Sequence, residues 1–374
     1  MGPRILYVVT EDWYFLSHRL PMARAAKAAG YEVHVATRIK DGEPAIKREG
    51  FVPHALDWSR GSLSPRGSVS AVLELRRLIE QIDPDILHNV SLKPVLLGTT
   101  ASLGFGRTAV VNSLTGLGTL FIGEAKVSAA TRQAVRFALS ALLRRKRSKI
   151  VVQNPDDWDF VLGLGAAPDN IALIPGSGVD TEHLTKLPEP PAPVTAAYVG
   201  RMLADKGVVT LIQAYSLLNQ RGVQLQLLLA GDTDRENPGS LAPEQLREFA
   251  SLYGIHWLGH VTDIRKVWAM AHFAVLASRR EGLPKSLLEA AACGRPMVAT
   301  NAPGCREIAI QDKTALTVPV DDVEALADAM ARMAGDQAMR DRFGKAARAL
   351  VEEKFSAEAI GREIVALYDG LRRT

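Results

Sequence analysis

One pattern, run twice, limits what this chain can fold into. Short aliphatic runs alternate with helix-period segments from Ile5 to Gln153, stop at Thr185–Pro193, a stretch with four prolines, and alternate again from Thr195 onward. The first pass predicts strands at Ile5–Val9, Tyr31–Thr37, Ile86–Asn89, Thr108–Ser113 and Lys149–Gln153. Between them it predicts helices at Leu20–Ala29, Val69–Ile82, Val95–Leu103 and Thr131–Arg145. The second predicts strands at Thr195–Val199, Leu225–Ala230, His256–Leu258, Phe273–Ala277 and Met297–Thr300. Its helices are Gly207–Arg221, Ala242–Tyr253, Asp263–Met270, Pro284–Ala292, Val323–Ala334 and Gln337–Lys354. Continuous apolar strands alternating with helices specify doubly wound parallel sheets, because only a sheet covered on both faces buries such strands. At 374 residues the chain can bury two such cores. The expected organisation is a first Rossmann-like domain over 1–180, an extended linker over 181–194 and a second domain over 195–355. The amphipathic helix 356–374 has no later partner and is expected to return to the first domain.

Composition matters for what it excludes. Hydrophobic residues make up 47% and charged residues 23%, which fits a globular protein rather than disorder or a fibre. Two cysteines, Cys293 and Cys305, are too few for a disulfide framework, and the eight histidines lack ligand spacing, so no metal site is expected. No apolar stretch has membrane-spanning or signal-peptide length, and a cytoplasmic location is expected. Residues 1–184 hold 22 Lys and Arg against 18 Asp and Glu, which accounts for the whole formal charge of +4. That excess is densest at Arg132, Arg136, Arg144, Arg145, Lys146, Arg147 and Lys149. Spaced apolar residues, among them Val135, Phe137 and Leu139, make Arg132–Lys149 a candidate for peripheral contact with an anionic membrane. The alternative is a helix packed on its sheet with solvated cations.

The segment Gly200–Gly207 (GRMLADKG) stands where a strand ends and a helix begins, a position at which unpaired amides and the helix dipole receive anions. Arg201 offers a planar fork and Lys206 a point charge, together suited to a diphosphate. Glu281 and Glu289 follow in EGLPKSLLE, separated by seven residues. With Pro284 as first helical residue, Glu281 lies before the helix and Glu289 inside it, a spacing that grips two ends of one ligand rather than forming an acid/base pair. The amides at Lys285 and Ser286 can meet a phosphate between them. Asp232-Thr233-Asp234 has the D-x-D form of a metal motif, but Arg201 and Lys206 already supply the charge, and no essential metal is expected.

These residues, GR-(x)4-KG and then EGLPKSLLEAAACG followed by PMVAT, resemble the donor domain of the retaining GT-B glycosyltransferases of family 4. Gly176-Ser177-Gly178-Val179-Asp180, Leu258-Gly259-His260-Val261 and Ala302–Ile308 are similar to further family segments in the expected order. The resemblance implies two Rossmann-like domains facing a central cleft and transfer of a hexose or N-acetylhexosamine from a nucleotide sugar, with UDP favoured over GDP and no cofactor. It gives catalytic roles to Arg201, Lys206 and Glu281. Donor contacts would come from Gly200, Gly231, Gly259, Val261, Gly282, Leu283, Pro284, Lys285, Ser286 and Glu289. Retention would proceed by front-face displacement, with the diphosphate assisting the incoming hydroxyl.

Glu11–Pro21, Leu87–Pro94 and Thr115–Phe121 are similar to the subset that builds capsule, O-antigen or glycan precursors on polyprenyl diphosphate. The resemblance therefore implies a lipid-linked saccharide acceptor contacted by His18, Arg19, His88, Lys93, Thr115 and Gly116. Many relatives carry histidine where this chain has Thr115. Two other readings compete: a sugar-nucleotide epimerase or glycogen-synthase-like enzyme on the same architecture, and a nucleic-acid-binding protein using the basic cluster. The last lacks the aromatic residues that stack on bases.

Overall fold

A computed structural model describes residues 2–58, 65–115, 129–176 and 178–373. The chain divides into two compact units, Met1–Gly178 with Ala357–Thr374, and Val179–Ser356.

The first unit is built on a parallel sheet of β1 (Arg4–Glu11), β2 (Glu32–Arg38), β3 (Val52–Ala55), β4 (Ile86–Val90), β5 (Ala109–Ser113), β6 (Ser148–Val152) and β7 (Ile171–Leu173), in the order β3-β2-β1-β4-β5-β6-β7. Every residue of β4 and β5 is buried, as expected of central strands covered on both faces, and their polar residues pair with one another: His88 with Ser113, Asn89 with Asn112. The second unit repeats the plan with β8 (Thr195–Val199), β9 (Gln226–Ala230), β10 (His256–Gly259), β11 (Phe273–Leu276), β12 (Met297–Thr300) and β13 (Ala315–Val318). Their order is β10-β9-β8-β11-β12-β13, again all parallel. In both sheets the order reverses beside the first strand, at β1/β4 and β8/β11, and the crevice beyond the carboxyl ends at such a switch point is where ligands bind in open α/β sheets.

Edge strands β3, β7 and β13, the short helices Asp12–His18 and Glu43–Arg48, and the helix Pro155–Gly163 lie outside the predicted elements. The proline-rich segment also departs from expectation. It is extended, but it is laid against the second unit instead of hanging free. Arg348 donates to the carbonyls of Leu184 and Thr181, Leu187 N–H donates to Cys293 O at 3.1 Å, and Arg295 Nη2 donates to Pro188 O at 2.7 Å.

The C-terminal helix Ala357–Arg373 carries Ile360, Ile364, Tyr368 and Leu371 on one stripe, and all four are buried among Tyr7, Phe15 and Met22 of the first unit. Each contributes roughly 1.5–3 kcal/mol. A polar chain fastens this contact inside the core. Tyr368 Oη lies 3.0 Å from Tyr7 Oη and 2.6 Å from His88 Nδ1, while His88 Nε2 lies 2.6 Å from Ser113 Oγ.

That chain has a pH consequence. Burial, and secondarily the charge of Arg19, holds the His88 pKa well below 6.5. The unfolded chain binds a proton near pH 6.5 that the native state refuses, so the contribution of His88 to stability is complete above that pH and declines below it, by about 1.4 kcal/mol per pH unit. His34, His54 and His272, also lowered by burial, act in the same direction. Urea unfolding from pH 7.5 down to 5 is expected to show falling stability, with a shallower slope in His88→Gln. Parallel slopes for the two proteins would exclude a neutral His88.

Candidate active site

The glycines at the carboxyl ends of β8, β9 and β10 let three loops close on one another. Gly200 N–H donates to Ala230 O at 2.9 Å, Gly231 N–H to Gly259 O at 2.7 Å, and Met202 N–H to Asp232 O at 3.0 Å. At Gly231, φ is +138° and a Cβ would sit 1.9 Å from Gly200 O, so no side chain fits. Tyr198, fully buried beneath, donates from Oη to Arg201 O at 2.7 Å and braces the turn.

Charge is supplied in three cation–carboxylate pairs. Arg201 Nη1 meets Asp234 Oδ2 at 2.7 Å, Lys285 Nζ meets Glu289 Oε1 at 3.1 Å, and Lys206 Nζ lies 2.5 Å from both oxygens of Glu281. Two of the three ammonium hydrogens of Lys206 are thus directed to Glu281, and the third is left for another acceptor. Ser278 Oγ donates to Glu281 Oε1 at 2.6 Å, so the carboxylate is positioned from two sides. The loop carrying it packs tightly: Glu281 N–H donates to Pro303 O at 3.0 Å, and a Cβ on Gly304 would lie 2.4 Å from Glu281 O and 2.6 Å from Gly282 O. Pro284 is the N-cap rather than the first helical residue, so the helix runs Lys285–Ala292. Its opening amides, those of Lys285 and Ser286, stand outside the intrahelical ladder beside Gly282 and Leu283. Gly259 ends β10 with φ +63° and Val261 packs against the core. Glu289 is buried with Lys285 as its partner, which a carboxylate among Ala290, Ala291 and Ala292 requires.

In the first unit the predicted acceptor residues separate into two groups. His88 is fully buried with both ring nitrogens engaged, and Arg19 is fully buried near Tyr7 and Tyr368. Both readings are corrected, because neither side chain is exposed: His88 ties the C-terminal helix to the sheet through Tyr368 and Ser113, and Arg19, among the described residues, reaches only Met22 Sδ at 3.7 Å, with its Nε buried without a partner. The others lie just past the carboxyl ends of β1, β4 and β5: His18 ends the helix Asp12–His18, Lys93 opens the helix Leu92–Ala101 and Thr115 follows β5. His18 stacks on Tyr14 with ring centroids 4.4 Å apart, Tyr14 Oη donates to Thr115 Oγ1 at 3.1 Å, and Thr115 lies 3.0 Å from Ser91 Oγ. Lys93 Nζ lies 5.2 Å from the centre of the Trp58 ring, and its pKa is lowered by burial against the opposing charge of Glu11. Gly116 lies outside the described residues.

The basic segment is also divided. Arg145 donates to the carbonyls of Ser102, Phe105 and Thr108, and Arg147 to those of Gly106, Arg107 and Leu371, so both are structural rather than offered to a surface. On the helix Ala129–Leu143, Val135, Leu139 and Leu143 face the core, whereas Phe137 is 76% exposed beside Arg136.

Residues 4–154 match the family model described as Glycosyl transferase 4-like, and residues 193–336 the model described as Glycosyl transferases group 1. The chain is a glycosyltransferase. It is 23% identical to the capsular polysaccharide biosynthesis glycosyltransferase CapM of Staphylococcus aureus, covering 98% of this chain and 97% of the relative. It is also 23% identical to the N,N'-diacetylbacillosaminyl-diphospho-undecaprenol alpha-1,3-N-acetylgalactosaminyltransferase of Campylobacter jejuni, covering 95% and 97%. Among solved structures, the sucrose-phosphate synthase of Thermosynechococcus elongatus aligns with a TM-score of 0.82 at 21% identity over 99% of each chain. Anabaena HepE in complex with UDP and glucose aligns at 0.78 and 18%, over 98% of this chain and 99% of that one. The fold is GT-B.

Sequence reasoning about this glycosyltransferase missed Tyr198 and Ser278, whose contacts to Arg201 and Glu281 span only three residues but depend on how the loops turn; Gly304 lay in a recognised segment, yet its packing on Glu281 and Gly282 shows only in three dimensions. Asp234 was visible in D-x-D, and the structure gives it Arg201 as partner. Among the described residues no three His, Cys, Asp or Glu side chains converge to hold a metal, and no helix is long and apolar enough to cross a membrane. Both cysteines are buried and unpaired; burial pushes the Cys293 thiol up to about 11 and that of Cys305 further.

Proposed function

We propose that this glycosyltransferase moves a hexose or N-acetylhexosamine from a UDP-sugar to a lipid-linked saccharide in cell-surface polysaccharide or glycan assembly, with retention of anomeric configuration. The observation that carries the donor assignment is the Lys206–Glu281 pair held by Ser278 at the β8/β11 switch point, next to the opening amides of the helix Lys285–Ala292. On this reading Arg201 and Lys206 take the diphosphate, Glu289 the ribose, and Glu281 with the backbone of Gly282–Ser286 the sugar. The protein positions the donor and stabilises charge developing on the leaving group, with no enzymic nucleophile and no cofactor. The acceptor assignment is supported by the likeness to CapM and to the Campylobacter jejuni transferase, whose name specifies a diphospho-undecaprenol substrate.

The test is incubation with UDP- and GDP-sugars and a polyprenyl-diphosphate-linked saccharide, read by mass spectrometry and by NMR of the new linkage. Free UDP and a product with the donor's anomeric configuration are expected, with turnover unchanged by EDTA. An isomerised sugar nucleotide, or an inverted linkage, would refute the reading.

We further infer that the helix Ala129–Leu143 touches an anionic bilayer, because Phe137 is exposed and the cations near it in sequence, Arg136, Arg144 and Lys146, are exposed too. Sedimentation with vesicles containing an anionic lipid is expected to retain the wild type and to bind Phe137→Glu at least about tenfold more weakly, since the change removes an apolar contact of roughly 1.5 kcal/mol or more and adds a charge that the lipid repels. Equal retention of both proteins rules this contact out.

A further inference from the structure

At the opposite end of the second sheet from the proposed nucleotide site lies a cavity of about 150 Å3, lined in part by Lys186, Glu189, His272, Arg295, Arg340 and Lys345. His272 immediately precedes β11, and Arg295 and Pro296 precede β12, whereas Gly200, Gly231 and Glu281 follow the carboxyl ends of their strands. The two places are therefore separated by the length of the strands, roughly 13 Å for four residues.

The cavity carries excess positive charge that the protein does not offset. Arg295 is 3% exposed, and its guanidinium donates to carbonyls only: Trp268 O at 2.9 Å, Pro188 O at 2.7 Å and Leu187 O at 3.5 Å. Arg340, 5% exposed, meets Glu189 Oε1 at 2.6 Å and the carbonyls of Met333 and Ala334 at 3.0 and 2.7 Å, and its Nε is buried without a partner. Lys186 and Lys345 stand exposed at the cavity. Against these four cations the lining sets only Glu189 and Asp341. Burying guanidinium groups without full anionic compensation is costly, and an anion whose oxygens accept from several donors relieves that cost. Guanidinium and ammonium groups together suit a tetrahedral oxyanion. The volume admits a phosphate group and falls short of the 300 Å3 or more typical of pockets for larger ligands.

We propose that this cavity is a second anion site, separate from the nucleotide site, that binds a phosphate-sized oxyanion, either inorganic phosphate or the phosphate of a sugar monophosphate. Lys186 and Glu189 belong to the segment that enters the second unit, while Arg340 and Lys345 lie on the helix Gln337–Leu350. A bound anion ties that segment to the helix and stabilises the native state by mass action.

Calorimetric titration with inorganic phosphate and, separately, with glucose 1-phosphate tests this at fixed ionic strength. Saturable binding is expected in the wild type and in Lys206→Ala, which impairs the nucleotide site. It is expected to weaken at least tenfold in Lys186→Glu and Lys345→Glu, and to persist in Arg247→Glu, an equal charge change on another helix. Binding of phosphate alone identifies the free ion as ligand; binding of both identifies the monoester's phosphate as sufficient. Absence of saturable binding, loss in Lys206→Ala, or equal weakening in Lys345→Glu and Arg247→Glu would overturn the proposal.

Discussion

Lys206→Ala is expected to lower kcat/KM by about 10³-fold, the scale for removing one preorganised donor from the charge that develops in a transition state. Lys206 is 2.5 Å from both oxygens of Glu281, and Ser278 fixes that carboxylate, so the ammonium is already placed before substrate arrives. A leaving diphosphate gains negative charge as the glycosidic bond breaks, and the third ammonium hydrogen then has an acceptor that strengthens along the reaction coordinate. The loss should appear mainly in kcat. Glu281→Gln tests the coupling, since it leaves Lys206 without its anionic partner. In a double-mutant cycle the two losses are expected to be strongly non-additive, because the side chains act as one unit. Turnover of Lys206→Ala within tenfold of wild type, with an unchanged circular dichroism spectrum, would remove the pair from the active site.

Gly207→Ala is expected to destabilise the second unit by about 3 kcal/mol or more and to abolish donor binding with it. Gly207 caps the helix Val208–Gln220 with φ +69°, and a Cβ there would lie 1.9 Å from Ala277 O and 2.5 Å from its carbonyl carbon. Both are backbone atoms at the end of β11, so the clash is relieved only by moving the helix off the sheet. Lys206, one residue earlier, would move with it. Gly222→Ala provides the control: its φ is +72°, nearly the same, yet nothing lies within 4 Å of the added atom. That variant should bear only the left-handed backbone penalty, about 1 kcal/mol. Urea unfolding of both proteins separates sterics from conformation, and equal losses would mean that the approach of Gly207 to Ala277 is not constraining.

The residues that were legible in the chain are those whose role is local. Gly200–Gly207 and Glu281–Glu289 could be placed at strand exits because aliphatic runs precede them and helix-period segments follow. A central strand such as β1 was visible because double-sided burial leaves an unbroken apolar run, Ile5–Val9. Edge strands β3, β7 and β13 were not, because three or four residues give too short a run to show a period; β10, equally short, was placed from its position between two predicted helices. Arg19 was misread from its position past the first strand, and His88 from the resemblance of Leu87–Pro94 to acceptor-binding segments. Spacing cannot tell a solvent-facing cation from one buried against a helix some 280 residues away in the chain, the separation of His88 and Tyr368.

Sequence alone determined the two parallel sheets and the placing of Gly200–Gly207 and Glu281–Glu289 at strand exits, since periodicity, glycine and proline act within a few residues. Tertiary structure decided which charges meet: Arg201 with Asp234, Lys206 with Glu281, Arg340 with Glu189. It also decided that His88 is a core residue and that the proline-rich segment is a wall of the second unit. The reason is physical. Burial and electrostatic pairing depend on distances through space, and residues remote in the chain acquire those distances only when the sheets close.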